Sequence, residues 1–173
     1  MRKAVTAAVS LILLTGCWSM NYNEPGRVEN YDRYPTEITI NRSFADSWDS
    51  VKQVMAKFPI LEAKVDLKSD RAYLISDWIP GKSDILYSGY LDEVRIPYVI
   101  RYKLYVYVVG DNAGRKTRIS IKNVEEYLTD VITGELDINR SIYQWVRTPS
   151  STLKEHKILT EIKKTLKIVD KRG

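Results

Sequence analysis

The sequence predicts an α+β fold in which an antiparallel sheet packs against two helices, in the order β-α-β-β-β-β-α. Three observations support this class. An apolar stripe with helical spacing follows the first short strand, several later segments alternate between apolar and polar residues, and a second amphipathic segment ends the chain. Helices that lie at the two ends of a run of strands are typical of an α+β layer.

The first predicted strand is Glu37 to Ile40, and the clearest predicted helix follows it. Ser43 and Asp46 have the spacing of a capping box, and Pro59 ends the helix. The apolar residues of the helix recur at spacings of three and four, as one buried face requires: Phe44, Trp48, Val51, Met55 and Phe58. We interpret this stripe as core.

Two strands joined by a tight turn are predicted next. The first alternates, with Leu61, Ala63, Val65 and Leu67 on one side. Ser69-Asp70 is a turn signal, and Arg71 to Ile79 returns as a strand. Residues 80–97 contain apolar residues among Gly, Ser and Asp, and fit either a long hairpin tip or an ordered loop.

The strongest predicted strand is Val99 to Val109, and after a turn at Asp111 to Gly114 the chain returns as Lys116 to Glu126. The alternation puts Tyr102, Leu104, Val106 and Val108 on one face, with Ile119 and Ile121 from the returning strand. Residues 127–147 are ambiguous, with one short strand expected at 141–146. The last helix is expected to begin near Thr148-Pro149 or at the box Thr152-x-x-Glu155. Its sheet-facing residues would be Leu153, Leu159, Ile162, Leu166 and Val169.

The N-terminus has the pattern of an export signal. Arg2 and Lys3 precede an apolar run that is shorter than the roughly 20 residues of a membrane-spanning helix. The run ends in Leu14-Thr15-Gly16-Cys17, which resembles the lipobox of bacterial lipoproteins. The resemblance implies that residues 1–16 are removed and that Cys17 carries a covalent lipid. Trp18 follows the cysteine in place of the aspartate of an inner-membrane retention signal, which by resemblance indicates the outer membrane, facing the periplasm.

Residues 17–36 are predicted to be a lipidated flexible tether, and residues 37–173 a single domain. From Trp18 to Thr36, a chain of this composition would reach about 65 Å when fully extended. Without residues 1–16 the formal charge falls from +5 to +3, with 25 basic and 22 acidic residues. This mild excess suits an anionic membrane surface and does not indicate nucleic acid. Cys17 is the only cysteine, so the domain is expected to have no disulfide.

Several segments together resemble the helix-grip repeat of BamC-type outer-membrane lipoproteins. They are the helix from Ser43 to Trp48, the strand Tyr73 to Trp78, the basic and aromatic strand Arg101 to Val109, and the returning Thr117 to Ile121. The resemblance covers roughly residues 36–170 and implies a helix-grip-like fold. It also implies a role with the machinery that assembles outer-membrane proteins. Enteric-type members have two such domains, whereas this chain has room for one.

The sequence predicts no enzyme and no cofactor besides the lipid. His156 is the only histidine and lies among lysines, as surface histidines do, so neither a catalytic nor a metal site is expected. The chain has no Gly-x-Ser-x-Gly and no phosphate-binding glycine loop. Acidic pairs such as Asp92-Glu93 and Glu125-Glu126 are interpreted as solvated faces.

A candidate docking surface lies on the strand face away from the predicted helices. It combines cationic and aromatic residues, which interfaces concentrate: Arg101, Lys103, Tyr105, Tyr107 and Arg118. The alternative interpretation is a sheet surface that charge makes soluble and cross-strand aromatic pairs stiffen.

These observations favour a non-catalytic, lipid-anchored periplasmic interaction module. Its expected partners are the membrane and other envelope proteins. The alternative is a carrier of a lipid or other apolar ligand, held in a cavity between a helix and the sheet. A third hypothesis is glycan binding at the cell wall through Tyr87, Tyr90, Tyr105 and Tyr107.

Overall fold

A computed structural model describes residues 24–111, 115–131 and 142–170. The helices are α1 (Phe44–Met55) and α2 (Leu153–Asp170). The strands are β1 (Gly26–Arg27), β2 (Glu37–Ile40), β3 (Ile60–Asp66), β4 (Arg71–Ser76), β5 (Ile79–Leu91), β6 (Val94–Gly110), β7 (Thr117–Val131) and β8 (Ile142–Thr148). The predicted α+β class with an antiparallel sheet is confirmed, because the eight strands form one sheet with antiparallel pairing.

The long strands β6 and β7 pair with each other at the centre of the sheet. Along the opposite edge, each of them pairs with two different strands, one at each end. β6 pairs with β5 at one end and with β4 at the other, and β3 continues the sheet beyond β4. β7 pairs with β8 at one end and with β2 at the other. The sheet therefore has two halves that share the β6–β7 pair.

The change of neighbour along β6 occurs where β4 ends and β5 begins. The buried hydroxyl of Ser76 accepts a hydrogen bond of 2.9 Å from the backbone N–H of Leu104, between the residues of β6 that pair with β4 and with β5. The backbone N–H of Asp77 donates to the carbonyl of Pro59 at 2.8 Å. These two bonds take the place of strand pairing where β4 ends and β5 has not yet begun. Trp78 follows Asp77 at this interruption.

Both helices contribute to one apolar cluster on a single face of the sheet. Val51, Met55, Leu104 and Ile162 have no exposed surface. The other members are Phe44, Trp48, Val54, Ala72, Leu74, Val106, Val108, Ile119, Ile121, Ile158, Leu159 and Leu166. The predicted inward residues of α1, β6 and β7 are therefore confirmed. Of the α2 set, Leu159, Ile162 and Leu166 are buried, and the Val169 side chain lies outside the described part.

The predicted capping box at the start of α1 is confirmed. The Ser43 hydroxyl accepts a hydrogen bond of 3.2 Å from the backbone N–H of Asp46, and it donates to the Asp46 carboxylate at 2.7 Å. A capping side chain satisfies a backbone donor that the first helical turn leaves free.

The predicted box at Thr152 is wrong, although α2 begins next to it. Thr152 has a φ of 64°, and its hydroxyl bonds to the backbone of Tyr34, accepting from the N–H at 2.6 Å and donating to the carbonyl at 2.8 Å. The start of the helix is instead capped by Ser151, whose hydroxyl accepts from the N–H of Leu153 at 3.3 Å. The Thr152 side chain, which the local sequence pattern assigned to the helix cap, thus bonds instead to a residue that is distant in sequence.

The predicted tether ends earlier than residue 36, because the chain binds to the domain from Gly26 onward. Gly26 and Arg27 pair with Tyr87 and Leu86 of β5. A Cβ at Gly26 would lie 2.3 Å from the Tyr87 ring, so a larger residue here would require the ring to move. Farther along, the carbonyl of Thr36 accepts from the N–H of Ile121 at 2.9 Å. Residues 17–23 lie outside the described part of the chain.

Residues 80–97, which the sequence left open, form the tip of the β5–β6 hairpin. Strand β8 confirms the strand expected near 141–146, while residues 132–141 and 112–114 lie outside the described part. The alternating residues of β3 are not covered by a helix: Leu61 and Val65, with Leu67 in the turn that follows, are 61%, 47% and 72% exposed. Within the described ranges, neither helix is long and apolar enough to span a membrane.

Candidate functional site

The predicted docking residues lie together on the face of the sheet opposite the helices, which we call the outer face. Lys103, Tyr105 and Tyr107 alternate along β6 with the buried Leu104 and Val106. Arg118 is on β7, directly opposite Val109, and Tyr107 faces Ser120. Alternation along two paired strands thus brings the predicted set to one surface.

Arg101 is also on this face, but it is engaged inside the fold. Its guanidinium lies 4.3 Å from the centre of the Trp78 ring and 3.9 Å from that of Trp145, so the charge stacks on both indoles. Its Nε and one Nη donate to a carboxylate oxygen of Glu126 at 2.9 and 2.7 Å. Arg101 therefore lies on the predicted face, but its charge and its planar group already have partners within the chain.

Trp78, Trp145 and Glu126 are functional neighbours that the sequence argument missed. Trp78 follows the break between β4 and β5, while Trp145 and Glu126 come from the paired strands β8 and β7. Glu126 also lies 3.8 Å from Arg147, the residue opposite it on β8. A tryptophan near a basic strand indicates cation–π stacking, but only the register of the paired strands shows which cationic side chain stacks on its ring.

Next to this cluster, Lys103 is half-buried, with its ammonium 5.0 Å from the centre of the Trp78 ring. Arg118 is more exposed and lies 3.5 Å from a carboxylate oxygen of Glu37 on β2. An exposed pair of this kind contributes little to stability, since water screens it. Arg118 therefore remains accessible to a partner.

A second polar group lies across β3 and β4 on the outer face. The Tyr73 hydroxyl donates to the Glu62 carboxylate at 2.7 Å, and the Lys64 ammonium lies 2.9 Å from the same oxygen. Hydrogen bonds from Lys64 and Tyr73 lower the pKa of Glu62. The hydrogen bond with Glu62 raises the pKa of Lys64, so both groups are charged at neutral pH.

Tyr107 is the most exposed aromatic residue of the predicted set, at 44%, and it lines two clefts. The first has a volume of about 490 Å³, and Lys64, Arg71 and Tyr73 are among its lining residues. The second, of about 580 Å³, has Arg33, Lys122 and Pro149 in its lining. An exposed tyrosine between two clefts with cationic rims has the composition of an interaction hot spot.

Close to the second cleft, a network of charged groups is buried between β7 and α2. Glu125 is 1% exposed, accepts a hydrogen bond from Asn123 at 2.7 Å and lies 2.9 Å from the Lys154 ammonium. Burial raises the pKa of Glu125, against the opposing effect of Lys154. Lys154 is also 3.3 Å from Asp84; burial opposes its charge, but Glu125 and Asp84 outweigh it and raise the pKa of Lys154.

Glu155 extends this network at the first turn of α2. It is 2% exposed and accepts a hydrogen bond of 3.2 Å from the Ser150 hydroxyl, and burial raises its pKa. The second carboxylate oxygen of Glu125 and the amide oxygen of Asn123 have no hydrogen-bond partner among the residues that the structure describes. Buried acids of raised pKa also occur in active sites, but here their known contacts join α2 to the sheet.

The four tyrosines of the glycan hypothesis do not converge. Tyr87 and Tyr90 are at the β5–β6 tip, where they pair with Pro97 and Arg95. Tyr105 and Tyr107 are farther along β6, about 33 Å beyond Pro97 in the case of Tyr107, at roughly 3.3 Å per strand residue. These four tyrosines therefore do not line one common site.

His156 packs against the N-terminal segment. Its ring stacks on that of Tyr34, with the centroids 5.3 Å apart and 30° between the planes. Within residues 24–111, 115–131 and 142–170, His, Asp and Glu side chains form no group of three or more that could hold a metal ion.

Comparisons with known proteins add no identification to this geometry. No family model matches the chain, and no curated protein matches it either.

Proposed function

We propose that the protein is a non-catalytic interaction module of the cell envelope, anchored through a lipid on Cys17 to the outer membrane and facing the periplasm. One observation carries the docking role: Tyr107 is exposed on the outer face between two clefts whose linings include cations. The remaining docking residues are Lys103, Tyr105 and Arg118, with Lys122 added from the cleft lining. Arg101 serves as support beneath this surface.

The chemistry of the face indicates the chemistry of the partner. Besides the engaged Arg101, three cationic residues of β6 and β7 point outward, namely Lys103, Arg118 and Lys122, and of these Arg118 has the exposed carboxylate of Glu37 at 3.5 Å. A partner that presents carboxylates around an apolar or aromatic group would complement this surface.

The surface is also preorganised. The side chains project from two strands that pair over eleven positions, and the other face of those strands is packed against the helices. The stack of Arg101 between two indoles fixes one end of the face. Since little ordering is needed on binding, less of the interaction energy is lost to it.

The resemblance to BamC-type lipoproteins suggests the class of partner. By that resemblance, the module is an accessory to the machinery that assembles outer-membrane proteins.

The test is crosslinking in cells with a photoreactive phenylalanine derivative at Tyr107 or Tyr105. The matched control is the same replacement at Tyr90, which is 56% exposed but lies at the β5–β6 tip. We expect a discrete protein adduct from Tyr107 that Arg118→Glu and Lys122→Glu weaken. Equal adducts from Tyr90, or none from the outer face, would contradict the docking role.

Anchoring is tested separately with Cys17→Ser. We expect this variant to lose lipid labelling and to leave the membrane fraction, since acyl chains supply the membrane affinity. A Cys17→Ser chain that remains in the outer membrane would contradict lipid anchoring without touching the docking face.

The alternative of a carrier for an apolar ligand has less support. It needs an apolar cavity between a helix and the sheet, but the facing side chains there pack against one another in one cluster. Binding of a fluorescent fatty acid that Leu104→Ala abolishes would favour this alternative.

A further inference from the structure

We propose that β3 is the contact strand of a symmetric homodimer, in which two copies of this chain pair their β3 edges in antiparallel fashion about Ala63. The proposal does not require the docking role of the outer face, although Lys64 belongs both to β3 and to the lining of the first cleft. It rests on the free edge of β3, on its uncovered apolar side chains and on the order of its charges.

β3 is the last strand of its half of the sheet. It pairs with β4 along one edge, and the described residues provide no strand for the other. All of its residues except the half-buried Glu62 are exposed. A free edge presents unpaired backbone N–H and C=O groups, which readily pair with another strand.

The side chains of this edge are unusually apolar for a surface. Ile60, Leu61 and Val65 are 40%, 61% and 47% exposed, and Leu67 in the following turn is 72% exposed. Exposed apolar residues grouped on an edge strand indicate an interaction site more often than scattered ones do.

The order of the charges along β3 favours a second copy of this chain as the partner. Glu62, Lys64 and Asp66 alternate with Ala63 and Val65, so the three charges lie on the same face of the sheet. In an antiparallel two-fold pairing centred on Ala63, Glu62 lies opposite Lys64 of the second copy, and this ion pair occurs twice. Centring on Lys64 would instead place Glu62 opposite Asp66 and Lys64 opposite itself, which is repulsive.

Centring on Val65 would also pair opposite charges, Lys64 with Asp66, but it requires residues beyond the end of the strand. Glu62 would then lie opposite Lys68, in the turn where Asp66 accepts hydrogen bonds from the Lys68 N–H at 3.0 Å and from the Ser69 hydroxyl at 2.7 Å. The Ala63 register lies within β3, and the small side chain sits on the two-fold axis.

A dimer of this kind has a functional consequence. The two-fold axis is perpendicular to the sheet, so both copies turn their outer faces to the same side. A partner with two binding segments would then meet two docking faces, which raises avidity without a new contact.

The first test is disulfide crosslinking of the full chain in its own membranes. Directly opposed residues of antiparallel strands have Cα atoms about 4.5 to 5.5 Å apart, within the range a disulfide spans. We expect Ala63→Cys to give a crosslinked dimer and Val65→Cys to give far less. A dimer from Val65→Cys alone would overturn the Ala63 register, and a crosslink to another protein in place of a second copy would overturn the homodimer.

The second test uses charge reversal, with the mass of the detergent-solubilised chain measured by analytical ultracentrifugation. Glu62→Lys alone and Lys64→Glu alone should each weaken dimerisation at least tenfold, because like charges then face each other. The double variant should restore it, and so should an equimolar mixture of the two single variants. A monomeric wild-type chain across the concentration range, or a double variant no better than the single ones, would overturn the proposal. Melting curves of the dilute chain identify any variant that fails to fold.

Discussion

The guanidinium of Arg101 lies between the rings of Trp78 and Trp145, 4.3 and 3.9 Å from their centres, and donates two hydrogen bonds to Glu126. These partners come from the segment between β4 and β5, from β8 and from β7. One side chain of β6 therefore joins strands on both sides of the central pair.

Arg101→Lys should destabilise the domain by about 1 to 2 kcal/mol, because lysine keeps the charge but loses the planar group that stacks on both rings. Trp145→Leu should have a similar cost, and the double variant should cost less than the sum of the two. Urea unfolding measures these changes. Arg118→Lys is the control, since its exposed pair with Glu37 should contribute little; additive losses from Arg101 and Trp145 would contradict the stack.

Thr152→Ala should release the N-terminal segment and leave the core intact. The variant loses both hydrogen bonds between the Thr152 side chain and the Tyr34 backbone. We expect faster tryptic cleavage after Arg33 and faster amide exchange near residue 34, with a small change in melting temperature. Thr160→Ala, which removes only a local bond to the His156 carbonyl, is the matched control and should leave cleavage unchanged.

Glu125 gives a prediction on pH. Its pKa is raised by burial from the ordinary value of 4.5, so the folded chain binds this proton more tightly than the unfolded chain does. Its contribution therefore favours folding below about pH 4.5 and declines as the pH rises through the raised pKa.

The stability of Glu125→Gln relative to wild type should accordingly improve as the pH increases from 4 to 7. Glu62→Gln should show the opposite trend, since Lys64 and Tyr73 lower the pKa of Glu62. Melting temperatures across this pH range measure both differences. A relative stability of Glu125→Gln that does not change with pH would contradict the raised pKa.

Glu93→Gly should stabilise the β5–β6 hairpin. Asp92 and Glu93 form its turn with φ values of 47° and 68°, a region that costs a residue with a Cβ roughly 1 kcal/mol. Because glycine also gains freedom in the unfolded chain, we expect a net gain of about 0.5 kcal/mol in thermal or urea unfolding. Ser88→Gly, in the extended part of β5, should be destabilising, and a loss of stability in Glu93→Gly would contradict the strained turn.

The sequence predicted the elements whose signal is local. The helical stripe from Phe44 to Met55 and the alternation around Leu104 are repeated several times within a few residues, and burial follows that period. The same alternation brought Lys103, Tyr105 and Tyr107 to one face.

What the sequence did not reveal depends on contacts between distant segments. The two residues of β1 have no period, and only the position of the Tyr87 ring shows what a residue larger than Gly26 would meet. Thr152 has the spacing of a cap but bonds to Tyr34. Arg101 looked exposed because the pairing that brings Trp145 over it is fixed by the register of β7 and β8. The alternation along β3 likewise did not reveal that this strand would form a free edge of the described sheet.

The attachment of Gly26 to β5 limits how far the domain extends from Cys17. Between them lie the eight residues 18–25, so the distance from Cys17 to Gly26 is roughly 30 Å when the chain is fully extended. A tether that ended at residue 36 would reach about twice as far. With a lipid on Cys17, the point where Gly26 pairs with β5 would stay close to the lipid headgroups. The domain would then move only within a thin layer above the bilayer. A partner would have to enter that layer to be reached.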